Sequence, residues 1–167
     1  MNDNVWKLPH PIKLWNDTRD IVSKNKKVFI GIAGVASIAA FLLLRPRRDD
    51  TPLFEQTLVQ MNKVEEQAVQ QMSRLQYVQN MDQAAGILAD STLPEWQSFQ
   101  KQVATTKNYK LDKELNQKRE LLSEYADLRV QQAKLLYKAF KENSNKYDEE
   151  LTLVYERING ILDRLQN

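Results

Sequence analysis

Apolar residues in this chain form one unbroken run, followed by stretches in which they recur every three or four positions. The run is Val28 to Leu44, VFIGIAGVASIAAFLLL, seventeen residues without a charge. Lys24, Lys26 and Lys27 precede it, and Arg45, Arg47 and Arg48 follow. A bilayer core takes ~20 apolar residues, with about 17–25 tolerated, so the pattern predicts a single transmembrane helix over 28–44. A buried core helix can be as apolar, but rarely with three cations just beyond each end. A cleaved signal peptide needs a small-residue site after its apolar stretch, and RPRR stands there instead.

Beyond the run the pattern is helical throughout, and no strand periodicity competes with it. Asp49, Asp50, Thr51 and Pro52 supply an oxygen-bearing cap and a proline suited to a first helical turn. A long helix is predicted from 52 to about Leu88, with Leu58, Met61, Val64, Ala68, Met72, Leu75, Val78, Met81, Ala85 and Leu88 on one face. Its other faces are rich in glutamine, a soluble helix former. Asp90 to Pro94 interrupt the pattern, and Thr92 and Glu95 have the spacing of a capping box. A shorter helix follows to about Ala104, with Leu93, Trp96, Phe99 and Val103 on one side. A third is predicted over 110–142, with Leu111, Leu115, Leu122, Tyr125, Ala133, Leu136 and Phe140 buried. Asn143, Ser144 and Asn145 read as a turn. The last helix has the cleanest repeat: Leu151, Val154, Ile158, Ile161 and Leu165, the 3-4-3-4 steps of a coiled-coil seam.

The predicted fold is therefore all-α: a single transmembrane helix followed by an antiparallel helical bundle with a coiled-coil-like character. The expected organisation is a basic tail over 1–27, the span over 28–44, a linker over 45–51 and a helical domain over 52–167. The candidate core of that domain is Leu58, Met61, Leu75, Trp96, Leu122, Leu136, Leu151, Val154, Ile158 and Leu165. In the tail, Pro11 can open a short amphipathic helix with Ile12, Trp15, Ile21 and Val22 near one face. Trp6 and Trp15 suit headgroup depth, so this piece is expected to lie in the membrane interface. Within the span, Gly31, Gly34, Ser37 and Ala40 belong to a concentration of small residues that lets helix backbones approach closely. They are the candidate surface for packing against a partner helix.

Charge adds register to this picture. The net formal charge of +2 conceals blocks of +4, −4, +5 and −3 over residues 1–50, 51–100, 101–146 and 147–167. Short breaks favour antiparallel neighbours, so the two acidic helices are expected to flank the basic one and to set its register through opposite charges at their edges. The rival reading of Lys101, Lys107, Lys110, Lys113, Lys118 and Arg119 is a nucleic-acid or anionic-lipid patch. Acids alternate with these bases and no aromatic-plus-glycine platform accompanies them, which argues against nucleic acid. Six bases before the span against four shortly after it favour an N-terminus on the positive side of the membrane.

Candidate chemistry is sparse. There is no cysteine, which excludes disulfides and thiolate sites. The one histidine, His10, lies between two prolines and cannot build a multi-histidine metal site. The four glycines form no phosphate-binding loop. Glu65–Glu66 and Asp148–Glu149–Glu150 read as solvated charge runs. No catalytic, cofactor-binding or metal site is expected, nor a small-molecule substrate or nucleic-acid partner. In layout alone (basic tail, one span, long amphipathic helix) the chain resembles the b-type peripheral-stalk subunit of rotary ATP synthases. It also resembles signal-anchored mitochondrial outer-membrane receptors, without their repeats. The break at Asp90 to Pro94 departs from an unbroken stalk helix, so no functional residue carries over. The expectation is a non-catalytic, single-pass accessory or assembly subunit of an energy-converting complex in a mitochondrial or bacterial inner membrane. Its partners would be other membrane subunits and the lipid bilayer. The alternative is a membrane-anchored receptor or tether whose helical domain binds a soluble protein.

Overall fold

In the computed structural model the described residues are 50–166. The tail with Trp6 and Trp15, the apolar run with Gly31, Gly34, Ser37 and Ala40, and the first part of the linker lie outside them. Among the described residues no helix is long and apolar enough to cross a membrane. They form an all-helical bundle: α1 (Thr51–Arg74), α2 (Met81–Ile87), α3 (Leu93–Thr105), α4 (Lys113–Glu142) and α5 (Asp148–Gln166). Helix α4 is central. Both α3 and α5 pack against it, α2 lies on it, and α1 packs mainly on α3.

The expected long helix is two. It leaves helical geometry after a 3₁₀ turn at Leu75–Tyr77, and Val78 and Asn80 are extended. Asn80 then caps α2, its side-chain oxygen accepting a 2.8 Å hydrogen bond from the Gln83 N–H. The apolar period runs through this break because Leu75 and Val78 remain buried across it. Periodicity therefore does not register the break, whereas the cap residue does.

The expected break at Asp90 to Pro94 is instead continuous helix. Leu88–Thr92 form a π turn leading straight into α3, and Thr92 is helical and makes no capping bond. No capping box forms. A proline inside an α-helix loses one backbone bond and its ring collides with the carbonyl four residues back, here that of Asp90. The wider turn relieves that conflict without ending the helix.

Asp112 caps α4 through a 2.9 Å bond from the Leu115 N–H, so this helix starts at Lys113, not near residue 110. It ends in a left-handed Asn143, with Ser144 N–H donating to the Ala139 carbonyl and Asn143 N–H to that of Phe140. This is a Schellman closure, and Asn tolerates it better than most residues. The turn reverses the chain. Along α4, Glu124 meets Arg157 while Gln131 meets Glu150, so α4 and α5 are antiparallel.

Helix α1 does not follow the antiparallel expectation. Asp50 accepts from the Lys110 N–H and Glu65 accepts from Tyr125, both at a separation of 60 residues. A constant separation means that α1 and α4 run parallel. The α2–α3 limb, which carries the chain back, lies between them in sequence.

Two cross-helix ion pairs run against the block pattern. Arg157 and Arg164, on acidic α5, reach Glu124 on basic α4 at 3.0 and 3.7 Å. All three side chains are exposed, so these pairs contribute only ~0–1 kcal/mol each. Register comes from the buried seams.

Candidate functional site

The apolar stripe of α1 runs Phe54, Leu58, Met61, then Glu65, then Ala68 and Met72, all buried. The spacing is an unbroken 4-3-4-3-4, and Glu65 occupies one of its inward positions. Helix α4 shows the same substitution: between Leu122 and Leu136, its seam carries Tyr125, Arg129 and Gln132, also buried. These four polar residues meet in the core beside Trp96 and Phe99 of α3.

Tyr125 donates its hydroxyl to Glu65 Oε1 at 2.5 Å. The Arg129 guanidinium lies 5.0 Å from the Tyr125 ring centre and 5.2 Å from that of Trp96. It also donates to Gln132 Oε1 at 3.0 Å. Trp96, Phe99 and Tyr125 pack edge-to-face in a triangle with centre separations of 5.8–6.0 Å. Such ring pairs add ~0.5–1.5 kcal/mol beyond area burial, and a desolvated cation on a ring face adds about 2 kcal/mol. Glu65 Oε2, Thr92 Oγ1 and Trp96 Nε1 are buried without a hydrogen-bond partner among the described residues.

Burial pushes the Glu65 carboxyl up from 4.5 to about 7, against the opposing pull of the Tyr125 hydrogen bond and the Arg129 charge. Burial also raises Tyr125 and Tyr155 above the ordinary phenol value. The expectation that Glu65–Glu66 is a solvated run is therefore corrected. Glu66 is exposed, but Glu65 is in the core.

The raised carboxyl links stability to pH. Between about 4.5 and 7 the folded state holds a proton that the unfolded chain has released. Glu65's contribution is therefore greatest below the unfolded value and is lost as pH rises through about 7. The full swing is about 3 kcal/mol. Glu65→Gln keeps the acceptor for Tyr125 and removes the titration. Urea unfolding at pH 4 and pH 8 is expected to show the wild type losing about 3 kcal/mol relative to the variant. Parallel pH profiles for the two proteins would refute the assignment.

The expected core residues occupy the following places. Leu58 and Met61 lie on the α1 stripe, Leu75 in the 3₁₀ turn and Trp96 in the aromatic triangle. Leu122 and Leu136 flank the polar cluster on α4, and Leu151, Val154, Ile158 and Leu165 form the α5 seam; all are buried. Sequence reasoning missed Glu65, Arg129 and Gln132. The signal was present: continuing the Phe54–Leu58–Met61 period by four lands on Glu65, not on Val64. Among the described residues no group of three or more His, Cys, Asp or Glu side chains is placed to hold a metal ion. No protein-family model, curated protein or solved structure matches the chain.

Proposed function

We propose that this protein is a non-catalytic, single-pass accessory or assembly subunit of a larger membrane complex, of the energy-converting type found in mitochondrial or bacterial inner membranes. The span over 28–44 docks against partner helices, and the helical bundle braces a neighbouring subunit close to the membrane surface. The observation that carries this reading is the closeness of bundle and apolar run. Helix α1 starts at Thr51, and Leu44 is the last apolar residue of the run. Even fully extended, the intervening chain reaches about 25 Å. A domain held that closely suits bracing of an adjacent subunit, whereas a tether that searches for distant soluble partners needs reach.

The buried cluster is consistent with a structural role. Its acid, phenol and guanidinium are all enclosed, so a substrate has no approach to them in this conformation. Buried polar groups on helix seams are best attested as devices that select one register over others.

The span is where the reading is tested. Lipid tails are as apolar as leucine, so helices associate in bilayers through close packing of small residues. Gly34→Leu with Ser37→Leu keeps the run apolar and adds bulk to its small face. The double variant is expected to stay membrane-integrated while its co-purification with the host complex, followed by cross-linking mass spectrometry on solubilised native membranes, falls sharply. Full retention in the complex would shift the attachment to the bundle and favour the receptor or tether reading.

A further inference from the structure

The fold gathers separate parts of the sequence at the end of the bundle where α1 begins. Asp50 accepts a 2.6 Å bond from the Lys110 N–H, and Thr57 Oγ1 lies 3.4 Å from the Tyr109 hydroxyl. The 106–112 connection between α3 and α4 is thereby held against the first turns of α1. Lys107 and Lys110 on that connection, and Lys113 at the start of α4, are all exposed. Arg119 reaches back to the Thr106 and Lys107 carbonyls, adding a fourth cation. The nearby carboxylates are partly occupied. Asp50 holds the Lys110 N–H, Asp112 holds the Leu115 N–H, and Glu55 and Glu114 are half-buried. Leu53, 48 % exposed, lies in the first turn of α1 at this same end.

We infer that this face is a docking surface for anionic lipid headgroups, with Lys107, Lys110 and Lys113 as its cationic contacts and Leu53 as its apolar contact. The inference rests on the reading that residues 28–44 span a membrane, because the short chain from Leu44 to Thr51 keeps this end of the bundle within about 25 Å of the span. Three further bases, Arg45, Arg47 and Arg48, lie in that connecting chain. Clusters of bases immediately beside a span are drawn to anionic headgroups, and the attraction decays within a Debye length. Alternation of acids and bases along the sequence conceals the patch. Folding satisfies two of the acids with backbone N–H groups and leaves the lysines outward.

The test uses the full chain in nanodiscs of phosphatidylcholine, with or without phosphatidylserine. Acetylation of Lys107, Lys110 and Lys113 is expected to slow at least about threefold in the anionic discs at low salt and to recover at high salt. Lys134 and Lys138, exposed further along α4, should react equally in both. The anionic lipid should also slow hydrogen exchange over 106–112, and Lys107→Gln/Lys110→Gln/Lys113→Gln should abolish that protection. Equal reactivity of the three lysines in both discs overturns the inference. Alkaline carbonate extraction tests the span separately. If the chain is released, the anchor reading fails, and flotation with the two lipid mixtures then decides. Flotation only with phosphatidylserine vesicles upholds the lipid surface, and flotation with neither overturns it.

Discussion

Replacing Arg129 by Ala is expected to destabilise the bundle by about 4 kcal/mol, as read from urea unfolding at pH 8. Three losses combine. The side chain is among the largest that are fully buried, so its removal leaves a cavity that neighbouring helices fill only in part. The rings of Trp96 and Tyr125 lose the cation that lies on them. Glu65 loses the nearby positive charge that favours its ionised form. Arg129→Met separates these contributions, because it keeps most of the volume and removes the charge together with the hydrogen bond to Gln132, a loss that does not vary with pH. At pH 5, where Glu65 is protonated in the folded state, Met is expected to cost at most about 1.5 kcal/mol. At pH 8 the carboxylate would be buried without its countercharge, and the cost is expected to approach that of Ala. A pH-independent cost for Arg129→Met would mean that Glu65 and Arg129 are not coupled.

Ile158→Asp should be comparably severe for a different reason. Ile158 is fully enclosed at the middle of the α5 seam, with Val154 and Ile161 as its buried neighbours along the helix. An aspartate there must either carry a buried charge or take up a proton, and both cost several kcal/mol. Helix α5 packs chiefly on α4, so the cooperative thermal transition followed by circular dichroism is expected to weaken or vanish. Leu153→Asp is the matched control on the same helix. Leu153 is 60 % exposed, and its change should stay within about 0.5 kcal/mol. Equal effects at the two positions would show that α5 does not pack as described.

The aromatic triangle explains why these costs concentrate where they do. Trp96, Phe99 and Tyr125 bring α3 and α4 together, and the Tyr125–Glu65 bond adds α1 to the same point. Three helices share one small cluster, so a change there is felt by most of the bundle. The exposed pairs of Glu124 with Arg157 and Arg164 link only α4 and α5, and solvent screening keeps them weak.

Most features that depend on residues close along the chain are legible in the sequence. The α5 seam follows from its 3-4 repeat, and the Asn143 turn follows from an asparagine that tolerates left-handed geometry. The α1–α2 break was equally local, marked by Asn80 three residues before Gln83, but an apolar stripe continuing through it concealed it. The reverse holds at Pro94. A proline that ordinarily ends a helix was absorbed by a π turn, an adjustment that depends on packing around Leu88 and Thr92.

Helical class, the apolar faces and the last turn were thus determined by the sequence itself, because each reflects contacts within one or two turns. Tertiary structure alone decided that α1 runs parallel to α4, that Glu124 pairs with arginines of the acidic helix, and which groups meet Glu65, whose inward place the α1 period already sets apart from outward Glu66. The last distinction has a simple physical origin. Adjacent residues on a helix point about 100° apart, and only a phenol donor and a cation supplied from some 60 residues away make the inward position tolerable for a carboxyl group.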